Sequence, residues 1–311
     1  MAFLAALPFV LRDAPQSAKT LPAPQVAPAQ VYQDPLIDAV ASGDISKVKA
    51  LIADGCDARE AADERGTVLI VAAAHGYRDI AALLIDAGCD VNETTFVAYE
   101  VNGQSLGDLP AMEMALTYSD MLSGTVEMTP LEMAARCGYI EVAQLLIDRG
   151  ADVTAKTFCG MTALHYAAWN AHKAVAKLLI EKGANVRAIA NDQEDDATQG
   201  FEPIHCAVNS ADVTALLLDN GAAVDAKDTF DSTPLMLAVE RGNAGVASLL
   251  VARGANTQAL DGRRRSALHI LLDKAIDAAA ETGDDIAASV RGSGGPAAPD
   301  RTQGELDSTG R

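Results

Sequence analysis

Apolar residues in the middle of the chain alternate between two short phrases. An opening phrase such as TPLEMA (129–134) is followed by a second phrase such as LLIDRGADVT (145–154). Just before and within the second phrase, Val142, Leu145 and Leu146 have the spacing that places side chains on one face of a helix. The pattern therefore predicts pairs of amphipathic helices that recur along the chain.

The opening phrase returns at a regular period. Its first residue occupies seven positions, which are Asp34, Thr67, Thr129, Thr162, Glu202, Thr233 and Ser266. Three of the six spacings equal 33, and the other three are 62, 40 and 31. Such a period is typical of repeat architectures, in which each unit buries its apolar face only by stacking on its neighbours.

Residues that begin and end helices stand at fixed points of this period. Threonine hydroxyls are predicted to cap the first helix of a unit at Thr67, Thr129, Thr162 and Thr233. Proline fills the first helical position, where a missing N–H is harmless, at Pro130, Pro203 and Pro234. Glycine is predicted to end the second helix in a left-handed conformation at Gly88, Gly150, Gly183, Gly221 and Gly254.

The two phrases, written T-P-L-H-x-A and L-L-x-x-G-A-D-V-N, resemble the ankyrin repeat. The resemblance covers residues 34–282, about four-fifths of the chain. It implies an all-α repeat fold, an ankyrin-type solenoid of about seven helix-turn-helix units with β-hairpin fingers. It also implies a role in binding other proteins.

Three segments depart from the repeat and set the expected domain boundaries. Residues 1–33 are rich in Pro and Ala and are predicted to form a disordered tail, although their apolar start leaves a targeting signal or a docking segment open. Residues 283–311 are predicted to form a second disordered tail. The segment 93–127 makes one spacing 62 instead of 33, and it is either a loop insertion or a degenerate repeat.

Composition narrows the class of partner. The 311 residues carry a formal charge of −19, and aromatic residues make up only 4%, so the chain is a poor candidate for binding nucleic acid. Residues 34–282 contain 37 acidic and 19 basic residues, a net charge of −18, which favours a protein partner with a basic surface. No apolar run is long enough to span a membrane. We expect a monomer.

The cysteines and histidines give little sign of chemistry. Five cysteines are an odd number, so a disulfide framework is not expected and a reducing, cytoplasmic location is favoured, with nuclear or secreted forms left open. Cys56 and Cys89 are predicted to be small buried packing residues. The resemblance implies that the histidine at the fourth position of the opening phrase is structural. We therefore predict no enzymatic activity, no cofactor and no metal site.

The resemblance also implies a concave binding surface built from finger tips and first-helix ends. The residues that fall there are His75, Arg136, Trp169, Asn170, Asn209, Glu240 and Arg241 on first-helix ends and Phe158 and Phe230 on fingers. Trp169 is the only tryptophan, and Trp is enriched in interface hot spots. Two interpretations stay open, an exposed anchor beside Phe158 or a side chain packed against a neighbouring repeat or the insertion.

The sequence thus predicts a non-catalytic scaffold or adaptor that binds a protein on the groove of its solenoid. Two alternatives accompany this prediction. The chain could act as a regulatory or inhibitory subunit of a specific enzyme through its long insertion, or as a secreted effector that acts on host proteins.

Overall fold

The structure is a computed structural model, and it describes seven stretches of the chain. They are residues 34–63, 66–98, 100–101, 104–105, 125–157, 160–190 and 200–281. Both predicted tails, the interior of the insertion and Phe158 lie outside these stretches, so the predicted domain boundaries stay predictions.

Helices alternate between a first and a second type, as the two phrases predict. The first helices are α1 (Pro35–Ala41), α3 (Val68–His75), α5 (Pro130–Cys137), α7 (Ala163–Trp169), α9 (Pro203–Cys206), α11 (Pro234–Glu240) and α13 (Ala267–Glu281). The second helices are α2 (Ile45–Ala53), α4 (Arg78–Asp86), α6 (Ile140–Asp148), α8 (Lys173–Glu181), α10 (Ala211–Asp219) and α12 (Ala244–Ala252).

Two of the four threonines cap the N-terminus of their first helix as predicted. The Thr129 hydroxyl accepts a hydrogen bond from Glu132 N–H at 3.2 Å, and the Thr233 hydroxyl accepts one from Met236 N–H at 3.4 Å. The prediction is wrong for Thr67, whose Oγ1 is buried and has no hydrogen-bond partner. The Thr162 hydroxyl lies 2.9 Å from His165 Nδ1. The three predicted prolines do occupy the first turn of their helices.

The glycines that follow the second helices confirm the predicted ends. All five have φ between +89° and +101°, the left-handed region that glycine enters without a Cβ clash. Each second helix therefore stops at the same point of its repeat, and the chain turns toward the next finger.

The core is one continuous stack. The leucine or isoleucine that follows the first helical residue is at most 3% exposed in six repeats, at Leu36, Leu69, Leu131, Leu164, Ile204 and Leu235. Three residues later each of these repeats has a fully buried alanine, at Ala39, Ala72, Ala134, Ala167, Ala207 and Ala238. Because alanine is small, consecutive first helices pack closely against each other.

The insertion lengthens one finger, and residues 191–199 of another finger lie outside the described stretches. Strands β1 (Ala62–Asp63) and β2 (Gly66–Thr67) pair antiparallel in the first finger. The insertion begins with β3 (Thr95–Ala98) and ends with β6 (Thr125–Met128), which pair antiparallel with Ala98 opposite Thr125. Strands β4 (Glu100–Val101) and β5 (Gln104–Ser105) form a further short pair. The described ends of the insertion are therefore strands, and residues 106–124 lie outside the described chain.

The fifth repeat is shorter than its neighbours. Helix α9 has only four residues and continues as a 3-10 turn over Ala207–Asn209. Ser210 ends that turn and also caps α10, because the two-residue deletion removes the usual connection between the helices.

Candidate protein-interaction surface

Two buried histidines tie first helices to the next finger. His165 is fully buried, its Nδ1 accepts the Thr162 N–H at 3.1 Å, and its Nε2 lies 3.0 Å from the Phe201 carbonyl oxygen. His205 repeats the arrangement with the Glu202 N–H and the Ala226 carbonyl oxygen. Because Nδ1 accepts, Nε2 carries the proton and donates across the repeat junction. Burial lowers the pKa of both histidines to about 4, so both are neutral at pH 7.

A glutamate fills the same slot in the third repeat. Glu132 is 1% exposed, and its Oε2 accepts the Thr129 N–H at 2.8 Å. Its other oxygen, Oε1, is buried and has no partner among the described residues. Burial raises the pKa of this carboxyl to about 8. The helix cap explains its position, so the shifted pKa alone does not indicate catalysis.

Trp169 does not form the exposed anchor that one interpretation of the sequence gave it. The side chain is 8% exposed, and the Arg241 guanidinium lies 5.0 Å from the centre of its ring. Such a cation–π contact accounts for the burial. Arg241 belongs to the sixth repeat, two repeats along the chain from Trp169, and the shortened helix α9 of the fifth repeat lies between them in sequence. The packing interpretation is therefore the correct one, with the sixth repeat as the neighbour.

Arg241 is itself half-buried in this stack. Its Nη1 has no hydrogen-bond partner in the described structure, and burial lowers the pKa of its guanidinium. The Trp169–Arg241 pair therefore stiffens the first-helix side across three repeats, and it offers little free surface to a partner.

Phe230 and Glu240 do lie together. Both line a cleft of about 430 Å³ between the finger at 228–232 and the finger at 261–265. The Phe230 side chain is 53% exposed, and Leu237 forms part of the floor. An exposed phenylalanine beside an acidic side chain is suited to contact with another protein.

The fingers around this cleft are held by their own aspartates. Asp228 Oδ1 accepts the N–H groups of Phe230 at 2.8 Å and Ser232 at 2.7 Å. Asp261 does the same for Arg263 and Arg265 and also pairs with the Arg265 side chain. Arg263 and Arg265 line the same cleft as Phe230, from the neighbouring finger. No pattern in the sequence predicts that the fingers at 228–232 and 261–265 form one cleft.

The remaining predicted surface residues are spread over several repeats. Asn209 is exposed, while His75, Arg136 and Asn170 are half-buried. His75 stacks on Tyr77, and the Arg136 carbonyl oxygen lies 3.0 Å from His172 Nε2. Asn170 Nδ2 donates to the Tyr166 carbonyl oxygen. These residues thus also fasten the first-helix ends, and among the predicted residues Phe230 lies with Glu240 and Trp169 with Arg241.

The described thiols and acids do not assemble a reactive centre. Burial raises the pKa of Cys89 to about 11 and that of Cys206 to about 12, whereas a nucleophilic thiol needs a lowered pKa. Within the described stretches no group of three or more His, Cys, Asp or Glu residues could hold a metal ion. Cys89 is buried as predicted, but the prediction for Cys56 is wrong because that residue is exposed.

A family model for ankyrin repeats matches nearly the whole repeat region. The matched ranges are 14–95, 105–190, 131–228, 188–261 and 204–281. The chain belongs to the ankyrin repeat family. Ankyrin repeat domains are protein-interaction modules and generally have no catalytic activity of their own. In the part of this ankyrin repeat protein that the structure describes, no helix has the length and apolar character to cross a membrane.

Curated relatives resemble this ankyrin repeat chain over part of their length. One relative is a transient receptor potential cation channel subfamily A member 1 homolog of Caenorhabditis elegans. The two sequences are 29% identical over 132 residues, and this match covers 42% of this chain and 10% of the relative. The chain is 23% identical over 256 residues to the E3 ubiquitin-protein ligase KEG of Arabidopsis thaliana, 78% of this chain and 16% of the relative. The chain thus spans a small fraction of these relatives.

Solved ankyrin repeat domains confirm the fold. The human ASB11 ankyrin repeat domain superposes with a TM-score of 0.58 at 24% identity, over 76% of this chain and 91% of that one. The ankyrin repeat domain of Bcl-3, described as a member of the IkappaB family, gives 0.55 at 24% identity, over 77% and 94%. At this level of identity the likeness concerns the fold.

Proposed function

We propose that this chain is a non-catalytic adaptor that binds a protein partner across its first-helix ends and fingers. The observation that supports this most is the pair of cross-repeat hydrogen bonds from His165 and His205 to the following fingers. A surface fixed in this way loses little conformational freedom when a partner binds, so more of the contact energy is available for affinity.

The centre of the proposed surface is the cleft that holds Phe230 and Glu240. Phe230 offers a rigid apolar ring with two rotatable bonds, and its finger is fastened by Asp228. Asn209 lies exposed on the neighbouring repeat. Trp169, Arg241 and Asn170 support this surface from below, and His75, Arg136 and Phe158 are proposed to extend it along the solenoid.

The proposed partner presents a basic surface. The repeat body carries a net charge of −18, and Glu240 is exposed at the cleft. Complementary charge speeds association, and this effect weakens as salt screens it beyond about 8–10 Å. The dissociation constant of the complex is therefore expected to rise with NaCl concentration. A monomer in the cytoplasm is part of the same proposal, and light scattering tests the monomer.

Capture of partner proteins by variants tests the surface directly. Phe230→Ala combined with Glu240→Lys is expected to reduce the amount of specifically captured protein at least about tenfold, because hot-spot residues dominate interface energy. The matched control is Glu181→Lys, which makes the same charge change at an exposed position on the second-helix side. If mass spectrometry finds that the wild type, the Phe230 and Glu240 double variant and the Glu181→Lys control capture equal amounts of the same proteins, the proposed surface is ruled out.

The insertion supports a second candidate, the regulatory or inhibitory subunit of an enzyme. Because Ala98 pairs with Thr125, the insertion leaves and rejoins one finger at adjacent points. Replacing residues 99–124 with Asn-Gly therefore closes a two-residue hairpin on an existing strand pair. If this deletion abolishes effects on a captured enzyme while the Phe230 and Glu240 variant keeps them, the inhibitory candidate replaces the adaptor.

The secreted-effector alternative concerns residues 1–33, and sequencing the mature N-terminus tests it.

A further inference from the structure

The last repeat exposes the side chains that every earlier repeat buries. Leu268 is 70% exposed, whereas its six counterparts in the earlier first helices are at most 3% exposed. Leu271 is 54% exposed and stands where those repeats have a fully buried alanine. Leu272 and Ile276 continue the exposed row at 57% and 54%, so one face of α13 is apolar over more than two turns.

This apolar face borders an open groove. The groove holds about 610 Å³ between α12 and α13, and its lining includes Val251, Leu268 and Leu271. Earlier in the solenoid, each second helix packs beside the preceding second helix and on its own first helix. The groove therefore lies where the second helix of the last repeat would pack, and within the described residues no second helix follows α13.

The sequence that follows α13 repeats the residue spacing found in the earlier second helices. In the five second helices from α4 to α12, a branched aliphatic residue is followed by a small residue, then by leucine four positions on and glycine eight positions on, as in Val246, Ala247, Leu250 and Gly254. The same spacing recurs after α13, at Ile286, Ala287, Val290 and Gly294. The family match ends at residue 281 and does not include these residues.

The lengths agree with this alignment. The spacing from Val246 to Ile286 is 40, seven more than the common spacing of 33. Helix α13 is correspondingly long, since it has 15 residues where α5, among the longest of the other first helices, has 8. Seven residues make about two helical turns, so the face of α13 keeps its direction. An antiparallel helix over 284–292 would return about 14 Å, which brings its end back to the level of Leu272.

We propose that residues 284–292 form the second helix of the last repeat and dock on the apolar face of α13. Ile286 and Val290 are the side chains that cover Leu272 and Ile276. The segment is tethered directly to α13, so it meets the groove at high effective concentration. A second copy of the chain is the weaker occupant because two molecules of charge −19 repel each other.

Hydrogen exchange on the full chain tests this docking. Amides of 286–291 are expected to exchange at least about tenfold more slowly than those of 300–311, which serve as an internal reference in the same tail. Ile286→Asp with Val290→Asp is expected to remove this protection. Ala297→Asp with Ala298→Asp adds the same charge outside the pattern and is expected to leave it intact.

A variant of the apolar face completes the test. Leu272→Asp alters a side chain that is 57% exposed, so the fold tolerates it, and circular dichroism verifies this. It is expected to release 286–291 to fast exchange. The proposal is overturned if 286–291 exchange as fast as 300–311 in the wild type, if Leu272→Asp leaves their protection unchanged, or if protection falls on dilution together with a dimer mass in light scattering.

Discussion

The third and fourth repeats have the same backbone arrangement, but one buried position holds an acidic side chain in the third repeat and a basic one in the fourth. Their opening phrases follow each other at the common spacing, and Glu132 in one corresponds to His165 in the other. Both side chains accept the N–H of the capping threonine. His165 also reaches the next finger through Nε2, whereas Glu132 leaves a buried oxygen without a partner. The cap thus requires only an acceptor, and the tie to the next finger requires a donor as well.

The two slots respond to pH in opposite directions. Burial raises the pKa of Glu132 to about 8, above its ordinary 4.5, so the unfolded chain loses this proton first and stability falls as pH rises from about 4.5 to about 8. Burial lowers the pKa of His165 to about 4, below its ordinary 6.5. The unfolded chain therefore binds that proton first, and stability is lost as pH falls from about 6.5 to about 4.

A second difference lies at the turn that follows each first helix. Gly138 in the third repeat has φ +82°, and Ala171 holds the same left-handed position in the fourth repeat with φ +60°. A Cβ on Gly138 would lie 2.5 Å from His172 Nδ1. In the contracted fifth repeat the corresponding cap is the smaller Ser210, which leaves room for a methyl group at Ala171.

Removing the His165 side chain is expected to cause the largest loss of stability among the variants compared. His165→Ala leaves the Thr162 N–H and the Phe201 carbonyl oxygen buried without their partner and opens a cavity. The free energy of unfolding at pH 7 is expected to fall by about 3 kcal/mol. Urea unfolding followed by circular dichroism and Trp169 fluorescence measures this loss. The matched variant Glu132→Ala is expected to lose less, since it also removes a poorly solvated carboxyl, and an equal loss in both contradicts the assigned roles.

The turn glycine ranks next. Gly138→Ala combines a left-handed backbone with contact against the His172 ring, so we expect a loss of about 2–3 kcal/mol. Gly150→Ala is the control for backbone strain alone, because no atom lies within 4 Å of its added Cβ, and it is expected to lose about 1 kcal/mol. The reverse change, Ala171→Gly, is expected to stabilise by up to about 1 kcal/mol. Thermal unfolding of the three variants in parallel gives the ranking, and equal losses at Gly138 and Gly150 speak against the ring contact.

Much of this backbone arrangement could be predicted from the sequence because local chemistry determines it. Proline at the first helical position and glycine after the second helix need only their own backbone preferences. The sequence does not distinguish Thr67, whose hydroxyl does not cap its helix, from Thr233, which caps α11 although Met236, like Ile70, cannot return a hydrogen bond. The contact between Trp169 and Arg241 joins residues 72 positions apart, and no local pattern around either residue predicts it. The interaction surface was therefore less predictable than the fold.

A smaller change sharpens the pH comparison. Glu132→Gln keeps an acceptor for the Thr129 N–H and removes the ionisable group. Its free energy of unfolding is expected to lie within about 1 kcal/mol of the wild type at pH 5 and to exceed it by about 3–4 kcal/mol at pH 8, where the unfolded wild type has released its proton. Urea unfolding at both pH values measures the difference. Since His165 and His205 are present in both proteins, their titration cancels, and a pH-independent difference contradicts a neutral Glu132 in the folded chain.

The smallest effects are expected where the same two repeats meet on their second-helix side. Lys182 Nζ lies 3.2 Å from Asp148 Oδ1, and Arg149 Nη1 lies 2.7 Å from Asp86 Oδ1, but each pair is well exposed to water. Exposed ion pairs contribute about 0–1 kcal/mol, so Lys182→Ala is expected to lower stability by at most about 0.5 kcal/mol, and less in 1 M NaCl. Asn220 stands at the next corresponding position, so the series of ion pairs is already interrupted there, although the helices continue to stack. A loss above about 1 kcal/mol in Lys182→Ala would mean that these pairs, rather than the buried slots at Glu132 and His165, align neighbouring repeats.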